Sequence, residues 1–206
     1  MSESEFASRV IQRAWALGST ITTREAASFE SFYKLLARWN ERINLTALDL
    51  AWPPPQPTLD RLFIEPVIAA ELVASTPLVV ADLGSGAGSP ALPLNVLRPE
   101  MYLAMVETRG RKAAFLREAV RTLGLDRARV FQEPFQTFSE SHSDRFDIVT
   151  MRALRLDAEL GDAVDRLLKE DGRFITFGVE ETPVGFIRDR RIDLPDGSSV
   201  SSWARE

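Results

Sequence analysis

The chain contains no cysteine. That excludes disulfides, thiolate metal sites and cysteine nucleophiles together, and it fits a reducing compartment. Histidine is almost as scarce: His142 is the only one, set in the polar run SESHSD, where a solvated loop residue is the expectation. With a single imidazole, and that one set in a polar loop, neither a Ser-His-Asp triad nor a multi-histidine metal site is expected, and no metal is expected. No apolar run approaches the ~20 residues needed to cross a bilayer. The opening MSESEFASRV also lacks the basic and apolar regions of a signal peptide, so a cytoplasmic protein that keeps away from membranes is expected. Excess positive charge is missing too. The formal net charge of −5 argues against a surface that binds nucleic acid everywhere, although a local basic patch remains compatible with it.

The 206 residues, 45% of them apolar, are enough for one α/β domain with a modest extension. Residues 3–17 are helical in pattern and end at Gly18. The string TTRE at 22–25 places Glu25 three positions after Thr22, the spacing of a capping box. A helix follows, with Phe29, Phe32, Leu36 and Trp39 on one face and an end near Asn40 and Asn44. AWPPPQP at 51–57 cannot be helix interior or central strand, because proline lacks the donor and fixes its torsion. It divides the chain into a helical cap, residues 1–57, and a main domain, residues 58–206.

The main domain alternates strand and helix. Residues 62–73 read as helix with Pro66 at its start or at a kink. Strands are predicted at 77–84, 101–107, 129–133, 146–151 and 173–178, and helices at 109–123 and 157–169 with a DG turn at 171–172. This rhythm predicts βαβ crossovers in a Rossmann-like, mostly parallel sheet, and the tail carries turn signals for a closing antiparallel hairpin.

The chemistry concentrates in ADLGSGAGSPALPL at 81–94. Gly84, Gly86 and Gly88 let the backbone turn sharply and approach a ligand at the carboxyl end of a strand. A dinucleotide site reads G-x-G-x-x-G and rests a pyrophosphate on a helix N-terminus. Here Asp82 precedes the loop and the glycines fall at every second position, a pattern suited to S-adenosylmethionine, whose cationic amino-acid portion matches a carboxylate. Glu107 ends the next strand, where a carboxylate can accept from both ribose hydroxyls. Arg152 follows the strand FDIVTM and should reach the same sheet edge. Arg109, Arg111, Lys112, Arg117 and Arg121 cluster on one helix. Spacing alone leaves them either a phosphate-holding patch or an ordinary solvated face.

Over about residues 25–178 the chain resembles the RsmG/GidB family, methyltransferases that modify a guanine at N7 in small-subunit ribosomal RNA. RWNERINLT at 38–46 is similar to the family's W-N-x-x-x-N-L-T, and ADLGSGAGSPALPL to its D-V-G-T-G-x-G-x-P-G-I-P-L. VETRGRKAAFL at 106–116 and FDIVTMRA at 146–153 match two further family motifs. The resemblance implies S-adenosylmethionine bound by the loop from Asp82 through Gly84, Ser85, Gly86 and Gly88 to Ser89. It implies Glu107 on the ribose and Phe135 and Gln136 at the adenine. Arg152 would be the catalytic arginine at the cofactor and substrate edge, and Arg109, Arg111 and Lys112 would lie on RNA. Trp39, Asn40 and Asn44 would tie the cap to the active-site face. Ribosomal RNA or the 30S subunit is the implied partner, and a monomer is expected.

Two family features differ. FIEP at 63–66 stands where the family has His-x-x-Asp-Ser, so the histidine is missing and Glu65 replaces the shorter acid; and Phe177 and Gly178 stand where it carries a lysine. Other readings are the same chemistry on a small-molecule or protein acceptor, a nucleotide-dependent oxidoreductase, and a ribosome- or RNA-binding relative without catalysis.

Overall fold

A computed structural model describes residues 4–179, 181–194 and 196–206. Residue 3, where the sequence places the start of the first helix, lies outside them. Among the described residues the strands form one seven-stranded sheet in the order β3-β2-β1-β4-β5-β7-β6. They are β1 (Val79–Leu83), β2 (Tyr102–Val106), β3 (Ala128–Phe131), β4 (Phe146–Arg152), β5 (Leu168–Phe177), β6 (Phe186–Asp193) and β7 (Ser199–Arg205). β1 to β5 pair in parallel, and β7 pairs antiparallel with both β5 and β6. The chain runs β1, β2, β3 outward and then returns to place β4 on the other side of β1. The crevice at such a reversal is where open α/β sheets bind ligands.

The helices form for the local reasons read from the sequence. Ser4 caps α1 (Glu5–Ala16), and Thr22 and Glu25 cap each other's backbone donors at the start of α2 (Thr23–Asn40). Gly124, in the left-handed region at φ +63°, ends α6 (Gly110–Leu123). Tertiary packing changed other elements. A helical path runs from 56 to 72, earlier than expected, as α3 (Gln56–Leu59), a π-helical stretch (Asp60–Ile64), α4 (Glu65–Ala69) and a final 3₁₀ turn (Ala70–Leu72). Pro57 sits in the first turn of α3, where its missing N–H costs nothing. Helix α5 (Ala91–Leu97) follows the glycine loop. A short helix α7 (Phe135–Ser141) escaped the sequence reading, and it moves His142 out of solvent. The imidazole is half-buried, stacked on Phe138 at 4.2 Å, with Nδ1 2.9 Å from the Phe138 carbonyl. Helix α8 (Ala158–Leu167) stops two residues before the expected end, because Leu168 already pairs with Phe146 of β4. The Asp171–Gly172 turn is a loop-out within β5: β4 advances from Phe146 to Ile148 while β5 advances from Leu168 to Arg173.

The sheet's alternation decides which side chains meet. Val80, Leu103, Met105, Ile148, Ile175 and Phe177 point to one face, under α1, α2, the 56–72 path, α5 and α6. Ala81, Val106, Val149, Met151 and Phe174 point to the other, under α7 and α8. Asp82, Thr150 and Arg152 continue the first face by the same period of two. The N-terminal helices pack on that face through Phe63, whose buried ring meets Phe29 at 5.0 Å, Phe6 at 5.6 Å and Phe32 at 6.0 Å. Truncating Phe63→Ala empties the middle of this aromatic cluster. It is expected to cost about 3–5 kcal/mol in urea unfolding, with α1 and α2 losing protection from hydrogen exchange before the sheet does.

Candidate functional site

The loop after β1 is built by backbone hydrogen bonds that only a tight reversal allows. The N–H groups of Gly84 and Ser85 both donate to the Val106 carbonyl at the end of β2, at 2.9 and 3.1 Å, and Gly88 N–H donates to the Ser85 carbonyl at 2.7 Å. Gly88 lies at φ +86°, and a Cβ there would come within 2.5 Å of the Leu92 side chain, so the loop closes on α5 only with glycine. Gly86 lies at φ +50°, and a Cβ there would stand in ordinary contact with the Gly84 carbonyl at 3.5 Å and the Lys112 ammonium at 3.9 Å.

Glu107, one residue beyond β2 and buried, holds this loop from the neighbouring strand. One carboxylate oxygen accepts from Gly86 N–H at 3.0 Å and the other from Arg109 N–H at 2.8 Å. The glycine loop and the start of α6 are thereby fixed to a single side chain. Each carboxylate oxygen keeps further accepting capacity.

Asp82 is 2% exposed and lies across from Thr150 in the β1–β4 register, whose hydroxyl donates to its Oδ1 at 2.6 Å. Burial pushes its carboxyl up from 3.8 to about 6; the Thr150 hydroxyl and the positive charge of Arg152 pull the other way but do not win.

Arg152 ends β4 and pairs in register with Phe177 of β5; its guanidinium lies over that ring at 4.4 Å. Nη1 donates to the Arg61 carbonyl at 2.7 Å and Nη2 to Glu65 Oε2 at 2.7 Å. Glu65 also accepts from Arg61 Nη1 at 3.1 Å. Burial pulls Arg152 down to about 10, still charged at neutral pH, with Glu65 opposing the shift; burial likewise raises Glu65 despite the two arginines beside it. Among the described residues Arg152 Nε is a buried nitrogen without a hydrogen-bond partner.

These groups surround a cavity of about 700 Å³. Of the residues singled out in the sequence, Gly84, Ser85, Gly86, Ser89, Glu107, Arg109, Lys112, Phe135 and Arg152 line it. Asp82 and Gly88 stand behind the wall as supports. Gln136 and Arg111 do not reach the wall; Arg111, with Arg117 and Arg121, lies on the solvent side of α6. Leu45, Thr46, Ala47 and Leu48 close one side; Leu45 and Thr46 end the RWNERINLT motif, whereas Ala47 and Leu48 lie beyond it and carried no sequence signal. The Asn40 side chain makes that closure, accepting from the N–H groups of Leu45 and Thr46 and donating to the Thr46 carbonyl, while Trp39 packs edge-on against Phe115 of α6 at 5.9 Å. Asn44 is exposed. Glu65 and Arg61 are the other residues that sequence reasoning left without a role. The signal available for Glu65 was its place where the family's acid stands. Among the described residues no group of three His, Asp or Glu side chains is arranged to hold a metal, and no helix is long and apolar enough to cross a membrane.

Comparisons with known proteins agree with this architecture. The family described as "GidB: rRNA small subunit methyltransferase G" matches residues 25–181. A protein named ribosomal RNA small subunit methyltransferase G from a Roseiflexus species is 34% identical over 165 residues, covering 79% of this chain and 68% of the relative. One of the same name from Geobacillus kaustophilus is 34% identical over 160 residues, covering 77% of this chain and 66% of the relative. The chain therefore spans about two thirds of these relatives' length. Among solved structures, a SAM-dependent methyltransferase from Aquifex aeolicus superposes with a TM-score of 0.56 at 14% identity, over 72% of this chain and 93% of that one, a likeness of fold.

The buried Asp82 yields a stability prediction. The folded chain keeps its proton up to about pH 6, while the unfolded chain loses it near 3.8. Between those values the folded state binds more protons, so this group's contribution to stability falls as pH rises through the window. Asp82→Asn should therefore stabilise the ligand-free protein by about 2–3 kcal/mol at pH 7 and by almost nothing below pH 4. Urea unfolding of both proteins from pH 4 to pH 8 measures the difference; a gain independent of pH would contradict the assignment.

Proposed function

Since the chain belongs to the GidB family of small-subunit rRNA methyltransferases, we propose that it transfers a methyl group from S-adenosylmethionine to N7 of a guanine in small-subunit ribosomal RNA, in the cytoplasm. The observation that carries this reading is the joint placement, around one cavity, of the glycine loop, Glu107 and Arg152 at the β1–β4 reversal. The residues present fit the donor. The glycine loop gives the wall a backbone surface at Gly84 and Gly86, Glu107 stands at the strand end with accepting capacity to spare, and Arg152 lines the opposite part of the wall.

When bound, S-adenosylmethionine supplies an electrophilic methyl on a sulfonium sulfur. The chain's own residues then have positioning to do. Glu107 accepts from the ribose hydroxyls while keeping its hold on the Gly86 amide. Phe135 gives an apolar face for the adenine. Asp82, acting through Thr150 and the loop backbone, supplies negative charge below the donor's ammonium. Arg152 contacts the acceptor base or its phosphate. Guanine N7 carries a free lone pair and needs no proton removed, so a wall that orients and excludes water is sufficient and no general base is required. Arg109, Arg111 and Lys112, at the mouth and on the outer face of α6, hold the RNA backbone, a contribution that weakens with salt. The 1–57 cap contributes the Leu45–Leu48 wall and acts as part of the acceptor side.

The missing histidine and lysine favour one second reading, the same transfer to another acceptor. Tritiated-methyl transfer to naked ribosomal RNA, 30S particles and a small-molecule extract separates the two. Label in the ribosomal RNA, mapped to a guanine N7, is the expected result, and label confined to the extract would overturn it. Glu107→Gln removes one acceptor from the ribose contact. It should weaken donor binding by about 10- to 150-fold in calorimetry, in line with a charged hydrogen bond of ~1.5–3 kcal/mol, with NAD binding to neither protein.

A further inference from the structure

We propose that Glu65 is the positioning residue for Arg152, and that the irregular helical turn at Asp60–Ile64 exists to receive Arg152 and the donor loop together. The inference rests on the reading of the cavity as the methyl-transfer site, and it assigns the acceptor-side arginine its support.

The argument starts from the backbone. In a regular helix the Glu65 N–H would donate to the Arg61 carbonyl and the residue at 66 to Leu62. Here the Glu65 N–H goes five residues back, to Asp60, and residue 66 is proline with no N–H to give. Two carbonyls are thus released in one turn, at Arg61 and Leu62. Both are taken by residues of the site: Arg152 Nη1 reaches Arg61 at 2.7 Å, and Ser89 Oγ, in the loop after β1, reaches Leu62 at 3.0 Å. The same helical turn therefore grips the strand end that carries the arginine and the loop that carries the glycines.

Glu65 completes the grip. It is 2% exposed, and its Oε2 receives Arg152 Nη2 at 2.7 Å and Arg61 Nη1 at 3.1 Å. With Phe177 beneath the guanidinium, Arg152 is held by β5, by a carbonyl and by a carboxylate, and its plane has no freedom left. A buried ion pair is seldom retained for stability, since apolar residues of the same volume serve as well or better. This one borders a cavity that both arginines line, which is where fixed orientation has a use.

The test uses the full chain with Glu65→Gln and Glu65→Asp, each also made in an Arg152→Lys background. The first readout is independent of activity: the ¹⁵N–¹H resonance of Arg152 Nε, assigned by its loss in Arg152→Lys. It should exchange slowly in the unaltered protein and at least tenfold faster in Glu65→Gln, with Glu65→Asp in between. In methyl transfer, Glu65→Gln should lower kcat tenfold or more while the KM for donor stays within threefold, and Glu65→Asp should recover part of the loss. In the Arg152→Lys background the same change should cost less than twofold, because no guanidinium remains to be placed. An unchanged Nε resonance in Glu65→Gln, or an equal loss of kcat in both backgrounds, overturns the proposal. If Glu65→Gln does not unfold cooperatively, Glu65→Asp decides, and unaltered exchange and turnover there overturn it too. A chain that methylates no acceptor at all refutes the functional reading, while the resonance still decides whether Glu65 places Arg152.

Discussion

Removing a guanidinium from water is costly unless its donors are met, and in this fold the cost is borne at the end of β4. Arg152 points to the helix-covered face because Ile148 and Thr150 precede it on that face, so the sheet's own alternation drives the charge into a closed layer. The helical path opposite must then supply a carboxylate and a free carbonyl. Glu65 and the widened turn at Asp60–Ile64 supply both. Much else follows from that meeting. It brings the 56–72 path down onto the crevice, ties Ser89 to the same turn, and sets Phe177 as a platform beneath the guanidinium.

The donor side follows a different economy. Glycines at 84, 86 and 88 reverse the chain within five residues, and the reversal is stabilised from outside by Val106 and Glu107 at the end of the next strand, and from within by the Ser85 hydroxyl on the Asp82 carbonyl. Glu107 is both structural and available: it holds two backbone amides and still has lone pairs for a ligand. Asp82 is carried at a cost, since burial raises its carboxyl, and such unfavourable placement is common where a site needs charge in a fixed position.

Much of this was legible in the residues. The Thr22–Glu25 capping box, the Gly124 stop and the buried strands expected at 77–84 and 146–151 follow from local rules, and the structure has the caps at those places and the strands at 79–83 and 146–152. The α7 helix was not legible, because FQTFSES is too short and too polar for a periodic signal; its formation turned His142 from an expected solvated residue into a packed one. The end of α8 was also set elsewhere, by the pairing of Leu168 with Phe146 across the sheet.

The sequence by itself determined the alternation of strands and helices, the glycine-rich reversal after Asp82 and the family motifs around it. Each depends on residues close together in the chain, where torsional limits and side-chain period act directly. Only the tertiary structure decided that Glu65 faces Arg152 across 87 positions, that Leu45–Leu48 wall the cavity, and that Gln136 and Arg111 stand off from it. Those outcomes depend on strand register and on how the helical path crosses the sheet. No local preference encodes either, because both are settled by which faces can be buried together.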